Sequence, residues 1–205
     1  NATTTLYAGS LNQYLVALPP IHKPEFVPDE FALVALPDEE TYRTIRATPE
    51  GKAYSDAHWQ IFERSKSKSL PLDLEIPSSM IAGRAYNAIG GQSNWSSGHT
   101  TFFLGLRKSG VSSAQFLRRL SQHVQLVAQT LKPLGLRGYI VIADENYEVA
   151  YMNWRSAEAM SYAFASAAGK AVATDAATIL ETLQLAPETD FNGSTVAPNS
   201  FYKTR

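Results

Sequence analysis

Apolar and polar positions alternate most regularly in the second half of the chain. Period-two alternation predicts a strand from Thr100 to Arg107. An apolar stripe at helical spacing then predicts a helix that begins after Ser112 or Ser113 and ends near Lys132, just before a proline. The other elements predicted for this half are strands over 139–143 and 149–154, a helix from 157 to about 183, and a final strand after 183.

These elements follow the order β-α-β-β-α-β, which is the order of a split βαβ unit. Such a unit covers one face of its sheet with helices and leaves the other face bare. Because an apolar face must be buried, we expect the bare face to pack against a second sheet.

The first half gives fewer and shorter elements. The apolar run Phe31–Leu36 lies between two prolines and predicts a buried strand. Asp38 is the expected N-cap of a helix that is interrupted at Thr48–Pro49 and resumes as far as Arg64, because proline disfavours helical geometry in the preceding residue. Alternation over 70–76 predicts an edge strand, and the stretch 77–98, rich in Ser, Gly and Asn, predicts a long loop.

An internal repeat links the two halves. Residues 31–53 align with residues 149–171 at a constant offset of 118 and without a gap, with six identities in 23 positions. The expected helix caps Asp38 and Ser156 coincide in this alignment, and so do the mid-helix breaks before Gly51 and Gly169. The pattern indicates that the chain contains two related units.

The second copy carries a family resemblance. The segment 151–160, with 164–166 and 169–171, resembles the closing strand and helix of dimeric α/β barrel proteins, which include the antibiotic-biosynthesis-monooxygenase-like and EthD-like families. Residues 36–42 with 47–53 form a second, similar segment. The resemblance implies an α+β fold of two ferredoxin-like halves whose antiparallel sheets pack together. It covers 100–185 well and 31–76 in part, so the first half is expected to be a reduced copy.

The domain boundaries follow from the repeat and the loop between its copies. We expect an N-terminal half over 3–76, a connecting loop over 77–98, a C-terminal half over 99–186, and a tail over 187–205. A duplicated chain can be self-sufficient, because its two halves can do what two subunits do elsewhere. The chain could also form a homodimer, and the sequence leaves this alternative open.

The resemblance also implies a class of function. Similar proteins commonly hold a small aromatic or polyketide-like ligand between the sheet and its helices, and some oxidise or cyclise it without a cofactor, while others bind haem. We therefore expect a small apolar or aromatic ligand and a cofactor-independent monooxygenase or cyclase. The alternative is a non-catalytic ligand-binding or assembly module, with haem binding as a variant of it.

Composition narrows the choice of partners. The chain has 205 residues, is 44% hydrophobic and has a net charge of -1, which favours neither nucleic acid nor an anionic membrane as partner. The absence of cysteine excludes disulfides and thiolate chemistry. Without an apolar run of the ~18 residues that cross a bilayer, we expect a cytoplasmic protein and no membrane partner.

Two histidines are the candidate catalytic residues. His99 shares a strand face with Phe103, and if Phe102, Leu104 and Leu106 face the helices, His99 lines the inner sheet face and could carry a proton. His123 borders the apolar stripe of the long helix and could point into a pocket beneath it. The alternatives are a histidine bonded to the backbone at a loop end and a boundary histidine half in water.

Aromatic and amide side chains are the candidate ligand contacts. His58 and Trp59 lie on the first-half helix, and Tyr86 and Trp95 lie in the predicted loop. The alternative for His58 and Trp59 is interface packing between halves or subunits, and that for Tyr86 and Trp95 is burial in the core. The remaining candidates come from the strands of the second half, where Tyr151 and Asn153 share a face that could instead face solvent, and they are Phe103, Tyr139, Tyr151 and Asn153.

No motif in the sequence specifies a reaction. Zinc-protease, nucleophile-elbow, phosphate-loop and dinucleotide signatures are all absent. The histidines lack the local spacing of a metal site, so we expect no bound metal.

Overall fold

A computed structural model describes residues 13–19, 23–70, 72–91, 94–95, 97–185 and 189–190. Two sheets are formed in these ranges. The smaller sheet pairs strand β1 (Gln13–Ala17) with strand β2 (Phe31–Ala35) in antiparallel register. The larger sheet contains β3 (Leu72–Asp73), β4 (Arg84–Asn87), β5 (His99–Arg107), β6 (Leu136–Ala143), β7 (Tyr147–Trp154), β8 (Leu180–Leu185) and β9 (Thr189–Asp190).

The larger sheet has the order β3-β4-β6-β7-β5-β8, with β9 also paired to β5. All its pairs are antiparallel except β3 with β4. The described helices are α1 (Glu39–Ala47), α2 (Pro49–Trp59), α3 (Ser113–Leu131), α4 (Ala157–Ala165) and α5 (Ala167–Ala176), and a single 3-10 turn spans Lys132–Leu134.

The second half has the expected split βαβ order. Its elements run β5, α3, β6, β7, α4 with α5, and β8, and its strands lie in the sheet as β6-β7-β5-β8. The α+β class and the antiparallel character of this sheet are thus confirmed. Helix α3 is capped by Ser112, whose hydroxyl accepts from the backbone N–H of Gln115 at 3.3 Å. Its apolar stripe is buried and comprises Phe116, Leu120, Val124, Val127 and Leu131.

Three boundaries predicted from the sequence are wrong. The last helix ends at Ala176 rather than near 183, and the final strand already begins at Leu180, where it pairs with β5. The expected edge strand over 70–76 is reduced to β3 and pairs in parallel with β4. The stretch 77–98 is not a continuous loop, because it contains β4, which pairs with β6. The division of the chain into four segments stays a prediction.

The two helix pairs bend in the same way. Thr48 and Ser166 each end one helix and cap the next, with φ/ψ of −67°/158° and −69°/165°. Each hydroxyl donates to a carbonyl three residues earlier and accepts from the amide of Gly51 or Gly169 at 3.0 and 3.1 Å. The bounds of α4 and the start of α5 lie 118 residues after those of α1 and α2.

Both faces of the larger sheet are covered. Helices α3, α4 and α5 pack on one face, which we call the helix-facing side. The other face packs on residues of the smaller sheet and of the loop between its two strands. The buried apolar residues in this contact are Leu15, Ala17, Val27, Phe31, Trp95, Phe102, Leu104, Ile140, Tyr147, Val149 and Tyr151. The expected packing of a bare sheet face on a second sheet is present in this contact.

The predicted orientation of β5 is reversed. Phe102 and Leu104 face the smaller sheet, whereas Phe103 belongs to the cluster beneath the helices. His99 therefore lies on the helix-facing side and not on the inner sheet face. Alternation identified the two faces correctly, but both are apolar and buried, so it could not tell which one the helices cover.

None of the helices in the described ranges is both long and apolar enough to cross a lipid bilayer.

The bend at Gly169 gives a stability prediction. A Cβ at this position would lie 2.2 Å from the carbonyl oxygen of Ala163 and 2.6 Å from the Cα of Phe164, which are backbone atoms that cannot move away cheaply. Gly169→Ala should therefore lower the free energy of unfolding by about 2–4 kcal/mol, although Gly→Ala normally stabilises a helix. Chemical denaturation measures this. Lys170→Ala, at an exposed neighbour, is the control and should change stability by less than about 0.5 kcal/mol.

Candidate functional site

Polar side chains occur on the helix-facing side of the two central strands. His99, Thr101 and Trp154 lie at one end of this side, and Glu148 lies at the other. All four are buried. The register places His99 opposite Trp154, Thr101 opposite Met152, and Gly105 opposite Glu148. Because both faces of these strands are covered, their polar groups depend on partners inside the protein.

Two hydrogen-bond donors are buried at the end near His99. The hydroxyl of Thr101 and the indole N–H of Trp154 have no hydrogen-bond partner among the described residues. These two residues are diagonal neighbours on paired strands, so their Cβ atoms are expected to lie roughly 7–8 Å apart. Phe164 of α4 packs against the ring of Trp154 at 5.3 Å and the ring of Phe103 at 6.0 Å between centroids. The Trp154 indole therefore packs against an aromatic ring of α4.

Glu148 is a buried carboxyl between small neighbours. Its cross-strand partners are Gly105 on β5 and Ala143 on β6, and the side chain of Leu180 on β8 packs over Gly105. Its Oε2 atom has no hydrogen-bond partner in the part of the chain that the structure describes. Burial raises the pKa of Glu148, and the nearby charge of His123 lowers it in part.

His123 is a buried histidine that pairs with a partly exposed carboxylate. It is buried on α3, and its Nδ1 lies 2.8 Å from Oδ2 of Asp175 on α5. Asp175 is 33% exposed and also faces Arg119, whose Nη2 lies 3.8 Å from the other carboxylate oxygen. Since a carboxylate only accepts hydrogen bonds, the proton of this pair is assigned to Nδ1 of His123. The reading of His123 as a half-solvated residue is wrong, because its side chain is buried, and the pocket expected beneath its helix stays a prediction.

Tyr139 adds a second titratable group to this region. It is buried opposite Met152 on the helix-facing side. Burial, together with the charge of Glu148, raises the pKa of the Tyr139 phenol well above its usual value.

The structure separates the remaining predicted site residues. Tyr86 lies in the cluster beneath the helices, and its hydroxyl accepts from the backbone N–H of Ile81 at 2.9 Å. Trp95 and Tyr151 lie on the opposite face of the sheet, in the cluster that contacts the smaller sheet. Both aromatics from 77–98 are buried in a core cluster, which is the position that the alternative reading expects.

Asn153 lies on the same face as Tyr151 and is fully buried, so the alternative that this face meets solvent is wrong. Its amide nitrogen donates to the carbonyl of Ser97 at 3.0 Å and to the hydroxyl of Thr100 at 2.9 Å. Its amide oxygen accepts from Arg137 at 3.3 Å. These hydrogen bonds fix the start of β5 to the end of β7.

Tyr151 differs from its neighbour Asn153, because its hydroxyl has no hydrogen-bond partner among the residues described. Burial, with the charges of Glu30 and Tyr14, raises the pKa of Tyr151 well above its usual value. Tyr151 and His99 lie on opposite faces of one sheet. A single ligand on the helix-facing side therefore cannot contact both, and the expected pairing of Tyr151 and Asn153 with the histidines in one site is wrong.

His58 and Trp59 lie on α2, away from both clusters of the larger sheet. The His58 ring stacks on Phe62 at 4.5 Å, and Trp59 donates to the hydroxyl of Ser55 at 3.1 Å. Burial lowers the pKa of His58, and Arg46 lowers it further. These contacts all lie within α2 and the residues that follow it, so both the ligand role and the interface role of this pair stay predictions.

Sequence reasoning missed Glu148, Trp154 and Asp175 as site residues. Glu148 had a usable signal, because a charged residue in a strand that is apolar on both faces must be buried or terminate the strand. The predicted strand began one residue later, at Val149, and so left Glu148 in the turn. The partnership of His123 with Asp175 joins residues 52 positions apart and has no local signal.

No arrangement of three metal-binding side chains occurs among the described residues. An open depression of about 350 Å³ on α1 is lined by Asp38, Glu40, Thr41, Thr44 and Ile45. None of these five is a predicted site residue, and the pocket expected beside His99 or His123 stays a prediction.

The raised pKa of Glu148 predicts a pH-dependent effect on stability. A carboxyl whose pKa is raised by folding costs stability once the pH rises through its folded-state pKa, because it must then ionise inside the protein. Relative to the unsubstituted protein, Glu148→Gln should therefore gain about 1 kcal/mol or more in unfolding free energy between about pH 4 and about pH 8. Denaturant titrations across that range measure the difference. Glu181→Gln, exposed on β8, should show no such gain, and a gain of the same size there would contradict the prediction.

Comparison with known proteins gives distant structural neighbours. A scan of protein-family profiles and a search of curated proteins find no match to the sequence. Among solved structures, a protein of Lactobacillus acidophilus provisionally named a monooxygenase aligns with a TM-score of 0.45 at 10% identity, over 96% of this chain and 86% of that one. An anthrone oxidase-like protein aligns over the same shares with a TM-score of 0.38 at 12% identity. Both TM-scores are below 0.5, and such a likeness assigns neither an activity nor a ligand to this chain.

Proposed function

We propose that this chain binds a small, largely apolar molecule between the helix-facing side of its larger sheet and helices α3, α4 and α5. The observation that carries the proposal is the set of three buried polar atoms on this one side that lack partners among the described residues: Thr101 Oγ1, Trp154 Nε1 and Glu148 Oε2. A buried polar group without a partner costs about 1–3 kcal/mol. A bound molecule that supplies the missing partners recovers this cost.

The positions of these atoms indicate how a ligand is held. Thr101 and Trp154 offer two donors, which suit an oxygen atom such as that of a carbonyl group. The rings of Phe103 and Phe164 contact each other, and Phe164 also contacts the indole of Trp154. These rings suit an aromatic ligand. His99, directly opposite Trp154, carries the imidazole at this end of the sheet and is the group proposed to accept a proton. In this arrangement Thr101 and Trp154 replace Tyr151 and Asn153 as the orienting residues.

The activity that we infer is cofactor-independent oxidation or cyclisation of an aromatic or polyketide-like substrate. Both reactions begin when a base removes a proton from a hydroxyl or an activated carbon and leaves an electron-rich anion. His99 is the proposed base, within a water-poor, aromatic environment. This step needs no metal or organic cofactor, and in the oxidation the anion then gives its electrons to dioxygen, which is the proposed oxidant. Haem stays the cofactor alternative, and its test is a shift of the Soret band on addition of haem that is lost in His99→Ala.

The tandem arrangement belongs to this proposal. We infer that residues 13–76 are a reduced copy of the C-terminal half that retains the equivalents of β6, β7, α4 and α5. The shared bends at Thr48 and Ser166, 118 residues apart, support this. The reduced copy supplies the sheet that covers the second face of β5 and β7, while the ligand site lies in the complete copy alone.

An assembly module is the second candidate, and one observation favours it. Ile61 is 79% exposed, whereas Ile179, its counterpart at the offset of 118, is fully buried. An apolar residue kept at a core-equivalent position but left in water is typical of a surface that meets a partner. Native mass spectrometry of the purified protein separates the candidates, because retained small molecules support the first and a dimer that Ile61→Ser dissociates supports the second.

Thr101→Val provides the sharpest test of ligand binding, since it removes the hydroxyl and keeps the shape. In the free protein it should raise the unfolding free energy by about 1 kcal/mol, because a buried hydroxyl without a partner is eliminated. Binding of a planar aromatic alcohol, 2-naphthol, followed by its fluorescence, should weaken about tenfold, because a hydrogen bond to the ligand is lost.

The matched control is Thr174→Val. This threonine on α5 is exposed to solvent, and its hydroxyl donates to the carbonyl of Lys170 at 2.9 Å. It should leave naphthol binding unchanged. Equal affinity of naphthol for the Thr101 variant and the unsubstituted protein would refute the role of Thr101, and no binding of any planar aromatic by the unsubstituted protein would refute the proposal.

A further inference from the structure

Helices α1 and α2 of the first half are exposed over most of their surface. No residue of α1 is buried, and in α2 only Gly51 is buried. Helices α4 and α5 bend in the same way but bury one side, where Met160, Ala163 and Val172 join the core cluster of α3 and the larger sheet. The described residues of the first half include no counterpart of α3, so the equivalent side of α1 and α2 is left open.

The open side has kept apolar residues at its core-equivalent positions. At the offset of 118, Met160, Ala163, Val172 and Ile179 correspond to Tyr42, Ile45, Tyr54 and Ile61, which we call the open helix face. Tyr42 is 37% exposed and Ile61 is 79% exposed. Val34 on β2 is exposed as well, although its counterpart Met152 is buried. Single exposed apolar residues are ordinary, but a group of them at such positions is typical of a contact surface.

The charges of the two helices are divided between two arms. The first arm, residues 38–50, contains four carboxylates and two guanidinium groups, a net charge of -2, whereas the second arm, residues 51–68, contains four cations and two carboxylates, a net charge of +2 with His58 neutral. All of these charged groups except Arg46 are exposed. The groups that carry the excess are Asp38, Glu39, Glu40 and Glu50 in the first arm and Lys52, Arg64, Lys66 and Lys68 in the second.

We propose that the open helix face binds the same face of a second copy of this chain about a two-fold axis, with the first arm of each copy beside the second arm of the other. In a two-fold dimer every contact occurs twice in reversed order, so both negative arms meet positive arms. A face that carries opposite charges in separate arms is complementary to itself in this orientation, which favours a second copy over an unrelated partner. The net charge of -1 on the whole chain leaves little repulsion between the copies.

The dimer surface and the proposed ligand site lie in different halves of the chain. The inference rests on the second candidate for the function, the assembly role indicated by Ile61, and adds the partner and its orientation. It does not require a ligand. Dimerisation and binding of 2-naphthol can therefore be measured independently on the same protein.

Sedimentation velocity over a range of protein concentrations measures the dimer directly. The unsubstituted protein should form a reversible dimer that weakens as salt is raised, because the contacts between the arms are close to solvent. Ile61→Ser should raise the dissociation constant about a hundredfold, because an apolar contact is lost in both copies. The matched control is Ile81→Ser, at an isoleucine between β3 and β4 that is 55% exposed, and it should leave the dissociation constant unchanged.

Charge reversal tests the orientation of the two copies. Lys52→Glu with Lys68→Glu makes both arms negative, and Glu40→Lys with Glu50→Lys makes both arms positive. These four side chains take no part in the described ion pairs of either arm. Each double variant alone should lose the dimer, because every contact between arms is then repulsive. An equimolar mixture should recover it, because each negative arm again meets a positive arm, and circular dichroism establishes that both variants fold.

The outcomes separate this inference from both candidate functions. A chain that is monomeric at every concentration would overturn the dimer even if 2-naphthol binds, and a monomer that Ile61→Ser destabilises would show that another segment of the same chain covers this face. A dimer that Ile61→Ser dissociates but the mixture of charge variants does not restore would keep the assembly role and overturn the proposed orientation. A restored dimer that binds no planar aromatic would retain this inference and refute the ligand.

Discussion

Burial of β5 and β7 on both faces is the constraint on which the rest of the structure depends. Helices cover one side of these strands and the smaller sheet covers the other, so water does not satisfy their polar side chains. Asn153 meets the constraint with hydrogen bonds to Ser97, Thr100 and Arg137. Thr101, Glu148 and Trp154 do not meet it within the described part of the chain, and this contrast on neighbouring positions identifies the candidate site.

The helix pairs show how local chemistry produces this layered arrangement. A hydroxyl at the bend satisfies a carbonyl of the first helix and an amide of the second, and a glycine three residues later lets the two backbones approach. The result is a short, bent pair of helices, α4 and α5, that connects the end of β7 to the start of β8. Asp175 lies on α5, and the bend therefore places it beside α3, where it contacts His123.

Much of the C-terminal half could be predicted from the sequence, because α3, β6 and β7 have strong periodic patterns and clear caps. Strand β4 could not be predicted, since its four residues carry little apolar signal and are held by pairing with β6, a contact between distant parts of the chain. The prediction of which face of β5 the helices cover failed for a different reason, because both faces of this strand are apolar. Of the candidate site, the two histidines were found from their positions in strand and helix, whereas Glu148 and Asp175 acquire their roles only through tertiary contact.

The position of β4 has a consequence for any attempt to divide the chain. Although β4 precedes the C-terminal half in sequence, it forms the hydrogen-bonded neighbour of β6 and carries the fully buried Tyr86 into the main core. A fragment cut at the start of β5 would expose the backbone edge of β6 and open a gap beneath α3. Such a fragment would be prone to self-association through that edge, whereas one that begins before residue 72 would keep the sheet closed on this side.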